Sequence, residues 1–88
     1  MSWASEFTND AERDLRELPT NVQRQISRAL ALMETDPFQG DVRPLHGPAW
    51  KGVLRRRVGS YRLLFTVNHA SKVFIVVRIL LRSEKTYR

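Results

Sequence analysis

The chain has 88 residues, 42% hydrophobic and 27% charged, with no cysteine and a formal net charge of +6. That length predicts a single domain over residues 1–88, and the composition is that of a folded chain rather than a disordered one. Disulfides and thiolate metal sites are excluded, and a cytosolic location is expected. No apolar run approaches the roughly 18 residues of a membrane span, and Met1–Glu6 lacks the basic and apolar regions of a signal peptide. No membrane partner is therefore expected.

The charge is unevenly spread. Residues 1–45 hold five arginines against eight carboxylates, for a net −3, whereas residues 46–88 hold ten lysines and arginines against Glu84 alone, for a net +9. Like charges crowded on a small surface repel, and a polyanion relieves them. Nucleic-acid phosphate and an acidic protein segment are the two candidates.

Trp3–Phe7 reads as a short first strand. Thr8 and Asn9 then offer N-cap oxygens, with Glu12 at capping-box distance from Asn9. Ala11, Leu15 and Leu18 fall on one helical face, and Pro19 ends that helix. Thr20 and Gln23 repeat the capping-box spacing, and Val22, Ile26, Ala29, Leu30 and Met33 form a second apolar stripe. Asp36-Pro37 stops the second helix, because a residue before proline is pushed out of helical geometry.

Residues 38–50, with two glycines and two prolines, read as a connecting loop. From Gly52 the period becomes two. Strands are expected around Val53–Arg57, Tyr61–Val67 and Lys72–Leu81, joined by turns at Gly59-Ser60 and Asn68–Ser71 in an antiparallel meander. Alternation puts Tyr61, Leu63, Phe65 and Val67 on one face, with Val73, Ile75, Val77, Ile79 and Leu81, as the seat of the helices. Arg62, Arg78 and Arg82 then take the other face, and Arg55 and Arg57 are separated from Leu54 and Arg56. The predicted fold class is α+β, in the order β-α-α-β-β-β, with a helical hairpin on a twisted antiparallel sheet whose other face is basic.

No cofactor or metal is expected: there is no cysteine, no Gly-rich phosphate loop and no metal-spaced histidine pair. His46 and His69 lie in loops and read as solvated residues, and the carboxylates sit on the helices as solvent-facing positions. Arginine, lysine and tyrosine remain. A guanidinium stays charged and forks onto two phosphate oxygens, which suits a phosphodiester whose transition state gains negative charge. A tyrosine can stack on a base or exchange a proton. Arg62, Arg82 and Tyr87 are the candidates by position: the first starts a strand after a tight turn, and the others close the chain.

Taken in order, Phe7-x3-Ala11-x3-Leu15-x2-Leu18, Asp36-Pro37, Leu45-x-Gly47, Arg55-x-Arg57-Val58-Gly59-Ser60-Tyr61-Arg62, and Arg82 with Tyr87-Arg88 resemble the RelE/ParE toxin superfamily. The resemblance spans nearly the whole chain. It implies the toxin of a type II toxin–antitoxin pair, neutralised by an acidic antitoxin in a heterotetramer or higher assembly. RelE-like members enter the ribosome and cut mRNA without a metal, through attack of the 2′-hydroxyl on the adjacent phosphate. By position the resemblance assigns Arg62, Arg82, Tyr87 and Arg55 to catalysis; Lys51, Arg57, Arg78, Lys85 and Arg88, further cations of the basic half, are the candidates for RNA contact. The chain departs from RelE at Val53, which stands where RelE carries a lysine, so that Lys51 or Arg57 must substitute. Leu81 stands where many relatives carry His or Lys. ParE-like members, which inhibit DNA gyrase without nuclease activity, are the alternative, and they generally lack the C-terminal Arg/Tyr pair.

Overall fold

The computed structural model describes residues 2–81 of the chain. Five strands and two α-helices are formed by these residues: β1 (Ala4–Phe7), α1 (Asn9–Arg16), α2 (Thr20–Thr35), β2 (Val42–Pro44), β3 (Leu54–Val58), β4 (Tyr61–Asn68) and β5 (Val73–Leu81). The sheet order is β1-β5-β4-β3-β2. Neighbours from β2 to β5 pair antiparallel, but β1 pairs parallel with β5, so the sheet is mixed. Among the described residues no helix is long and apolar enough to cross a membrane.

Local chemistry explains where the helices begin and end. Thr8 is the N-cap of α1, its hydroxyl oxygen accepting from the Ala11 amide at 3.2 Å. The same hydroxyl donates to the Val77 carbonyl at 3.0 Å, so the cap also ties the helix to β5. Pro19 separates the helices and occupies the N-cap of α2. Gln23 does not close a capping box with Thr20. Its side-chain amide turns back and donates to the carbonyls of Leu15 at 3.1 Å and Leu18 at 3.0 Å. The Leu15 carbonyl also accepts from the Leu18 amide at 3.2 Å, so the Gln23 amide adds to the satisfaction of the last turn of α1. After α2, the Asp36 carboxylate accepts from the Phe38 amide at 3.0 Å and shapes the exit turn.

The core lies between the helices and one face of the sheet. Ala11, Ile26, Ala29 and Met33 meet Leu63, Phe65, Phe74, Val76 and Ile79, all buried. The phase of β5 differs from the simple alternation expected. Phe74 and Val76 face the helices in place of Val73, Ile75 and Val77. The cause is an irregularity in the ladder: Phe65 pairs with Val76 while its neighbour Leu64 pairs with Arg78, leaving Val77 as an extra residue. Ile79 returns to the core after this bulge.

The bulge lies where α1 docks. Asp14 of α1 accepts from the Ile79 amide at 2.9 Å and from Arg78 Nε at 2.8 Å and Nη2 at 3.3 Å. Phe38, Trp3 and His69 close the opposite end, with the Phe38 and His69 rings stacked at 5.4 Å and Trp3 edge-on to both.

Candidate nucleic-acid interface

The stretch that reads as a loop in sequence contains β2, an edge strand beside β3. Its register sets Arg43 opposite Arg55, and the Asp41 carbonyl accepts from the Arg57 amide at 3.2 Å. On the other side of β3, Arg55 pairs with Leu64 and Arg57 with Arg62. Side chains alternate along each strand, so Arg43, Arg55, Arg57 and Arg62 share the face away from the helices. Four guanidinium side chains on three neighbouring strands make the arginine row. Directly opposed cross-strand residues sit about 4.5–5.5 Å apart at Cβ, and like charges in that relation destabilise a sheet.

Arg56 takes the opposite course. Its strand position places it with Leu54 and Val58 on the helix side, and it donates to the Gln39 carbonyl. The turn at Gly40 has φ of +94°, and a Cβ there would lie 2.7 Å from Arg56 Nη1. The positive φ is what favours glycine at that point, since the end of the Arg56 side chain could shift aside. At the entry to β2 the Gly40 carbonyl accepts from the Val42 amide at 2.9 Å.

Asp41 is the acidic member of the row. Its carboxylate accepts from Arg55 Nη1 at 3.1 Å and lies 3.6 Å from Arg57 Nε. The Arg55 hydrogen bond, aided by the charges of Arg55, Arg57 and Arg43, holds the Asp41 carboxyl below its ordinary value of 3.8. The side chain of Arg55 is 13% exposed, whereas those of Arg57 and Asp41 are 40% and 46% exposed. Leu64 and Leu80 are buried on the same face by register, beside Arg55 and Arg62 respectively, and form an apolar floor between the charges.

The sequence-derived candidates therefore separate into groups. Arg55, Arg57 and Arg62 are brought together. Lys51 lies exposed just after a short 3-10 turn (Pro48–Trp50) that leads into β3. Arg78 has its guanidinium turned to Asp14 at the edge of the sheet. Arg82, Lys85, Tyr87 and Arg88 lie outside the described residues. Sequence reasoning missed Arg43 and Asp41. Asp41 did carry a signal, as the single carboxylate between Pro37 and Ser83. His46 is exposed, and His69 belongs to the ring cluster rather than to the arginine row.

Known proteins agree with this architecture. The chain is similar to the toxin–antitoxin complex RelBE2 from Mycobacterium tuberculosis, with 25% identity, a TM-score of 0.81, and 93% of this chain and 100% of that chain covered. It is similar to the archaeal RelE–RelB complex from Pyrococcus horikoshii, with 24% identity, a TM-score of 0.80, and 97% and 100% covered. The isolated RelE toxin of E. coli shares the fold at 17% identity and a TM-score of 0.77, with 96% and 88% covered. A search of curated protein sequences finds no match. Residues 6–86 match the family described as the ParE toxin of type II toxin–antitoxin systems, parDE. The chain belongs to that family and is a type II toxin of the RelE/ParE superfamily.

Proposed function

We propose that this toxin acts as a metal-independent, ribosome-dependent mRNA endoribonuclease that halts translation. The observation that carries this reading is the arginine row, which sets Arg55, Arg57 and Arg62 side by side on β3 and β4, away from the helices. In the proposed reaction the RNA 2′-oxygen attacks the adjacent phosphorus as its proton departs. The bond from phosphorus to the 5′-oxygen breaks, that oxygen gains a proton, and a 2′,3′-cyclic phosphate remains. Negative charge accumulates on the non-bridging oxygens. Arg62 opposes it, with Arg55 on the same face, as permanently charged donors that need no proton exchange of their own.

Arg82 and Tyr87 supply a further cation and the proton-transfer group in this reading. Lys51, Arg57, Arg78, Lys85 and Arg88 hold the RNA backbone. The physiological partner is a cognate acidic antitoxin, and the similar complexes with RelB support such an assembly. A positive half-chain attracts an acidic segment that folds on contact.

A second reading, inhibition of DNA gyrase without nuclease activity, is favoured by the name of the matched family and by Val53 and Leu81 at positions where RelE or many relatives carry basic residues. Growth arrest on induction in bacteria, compared among the wild type, Arg82→Ala and Tyr87→Phe, separates the two. The nuclease reading expects both variants to lose toxicity while folding normally. Full toxicity in both, together with loss of supercoiling activity in a gyrase assay, supports the second reading.

A further inference from the structure

Asp41 is the single carboxylate in a stretch of 47 residues that carries nine lysines and arginines, residues 37–83. It stands on the face where a phosphate chain would lie. Its two oxygens engage Arg55 at 3.1 Å and Arg57 at 3.6 Å, one oxygen to each guanidinium. Two acceptor oxygens set between two guanidiniums match what a phosphodiester presents through its non-bridging oxygens.

The side chain is not needed to anchor the strand. The Asp41 backbone carbonyl already accepts from the Arg57 amide at 3.2 Å and from Arg55 Nη1 at 3.3 Å. Arg57 also faces Arg62 across the ladder, so the Asp41 carboxylate lies beside a pair of like charges. The carboxylate is almost half exposed, so an incoming anion can reach the pair without unpacking the core.

We propose that Asp41 is a built-in counter-anion that stands in for nucleic-acid phosphate. In the free toxin it holds Arg55 and Arg57 oriented on the open face; on binding, a backbone phosphate takes its place between the guanidiniums. The inference rests on reading that face as a phosphate-binding surface. Asp41 is a positioning residue here, and it sets a threshold: only a ligand that outcompetes a tethered carboxylate gains both arginines. A polyanion that engages several members of the row does so readily, whereas an isolated phosphate competes poorly.

The test uses the full-length toxin and its Asp41→Asn variant, with Asp41→Ser as a second substitution and Glu12→Gln as a control of equal charge change on exposed α1. Arginine Nε–H resonances are followed by NMR during titration with inorganic phosphate. Binding of a single-stranded RNA oligonucleotide, with its cleavable 2′-hydroxyls methylated, is measured by fluorescence anisotropy. Removing an exposed competing ion pair is expected to tighten phosphate binding by roughly two- to fivefold. The shifts should centre on Arg55 and Arg57, RNA binding should tighten in parallel, and Glu12→Gln should change neither by as much.

Equal or weaker phosphate binding by both folded Asp41 variants overturns the inference, as does an identical gain in Glu12→Gln. Tighter phosphate binding without RNA cleavage by the unmodified toxin on ribosomes leaves the counter-anion standing and removes the nuclease reading. The two failures are thereby distinguishable.

Discussion

Asp14 joins the first helix to the last strand, and its removal tests whether that joint stabilises the fold. Its carboxylate, 16% exposed, accepts from the Ile79 amide at 2.9 Å and from Arg78 Nε at 2.8 Å. In Asp14→Ala the amide loses a charged acceptor, a loss of about 1.5–3 kcal/mol. The Arg78 side chain is 41% exposed, so the ion pair adds only about 0–1 kcal/mol. Together these give about 1.5–4 kcal/mol, or a fall in Tm of about 6–30 °C for a domain of this size. Asp14→Asn retains an acceptor for the amide and should lose about half as much. Urea unfolding followed by far-UV circular dichroism measures both. If Asp14→Ala costs less than about 0.5 kcal/mol, the magnitude of a surface change away from such features, the proposed joint is not a source of stability.

Core and turn positions give further expectations. Phe65→Ala opens the fully buried contact with Phe74 and should cost about 3–5 kcal/mol, enough to leave much of a domain this small unfolded by circular dichroism at 37 °C. Gly40→Ala puts a side chain at a φ of +94°, so its urea midpoint should fall by an amount corresponding to about 1–3 kcal/mol. Arg57→Ala, read by anisotropy with single-stranded RNA, should weaken binding across sequences and reduce the salt slope by about 0.7. The Asp41 carboxyl titrates below its ordinary value of 3.8 because of Arg55 first and its other arginine neighbours after. The sign follows: its pairing is fully present above the unfolded value and is lost only as pH falls through the lower folded one. The Arg55 Nε–H resonance should therefore hold steady from neutral pH down to about 4, and an earlier shift would contradict the pairing.

Much of the fold was legible because its signals are local. Thr8, Pro19 and Pro37 mark helix boundaries through capping and steric rules that act within a few residues. The change to a period of two after Gly52 exposed the three long strands, and Arg55 and Arg57 separated from Arg56 by alternation alone. What escaped was set by pairing across the chain. β1 is four residues long and pairs with a strand almost seventy residues away, so its parallel direction left no local trace. The bulge at Val77 sits at the end of the apolar run Val73–Val77, where either phase reads equally apolar. β2 has three residues, ends in proline and follows a glycine turn, which reads as loop. Arg43 and Asp41 were missed with it, so the acidic member of the basic face emerged only once the strand was placed.

The most direct measurement is a cell-free translation reaction with and without the purified toxin, with mRNA 5′ ends mapped by primer extension. New ends within codons should appear only when ribosomes are present and should vanish with a folded Arg62→Ala variant. Intact mRNA and undiminished translation at toxin concentrations that arrest growth would contradict the nuclease reading. Cleavage unchanged in Arg62→Ala would contradict the role given to the arginine row.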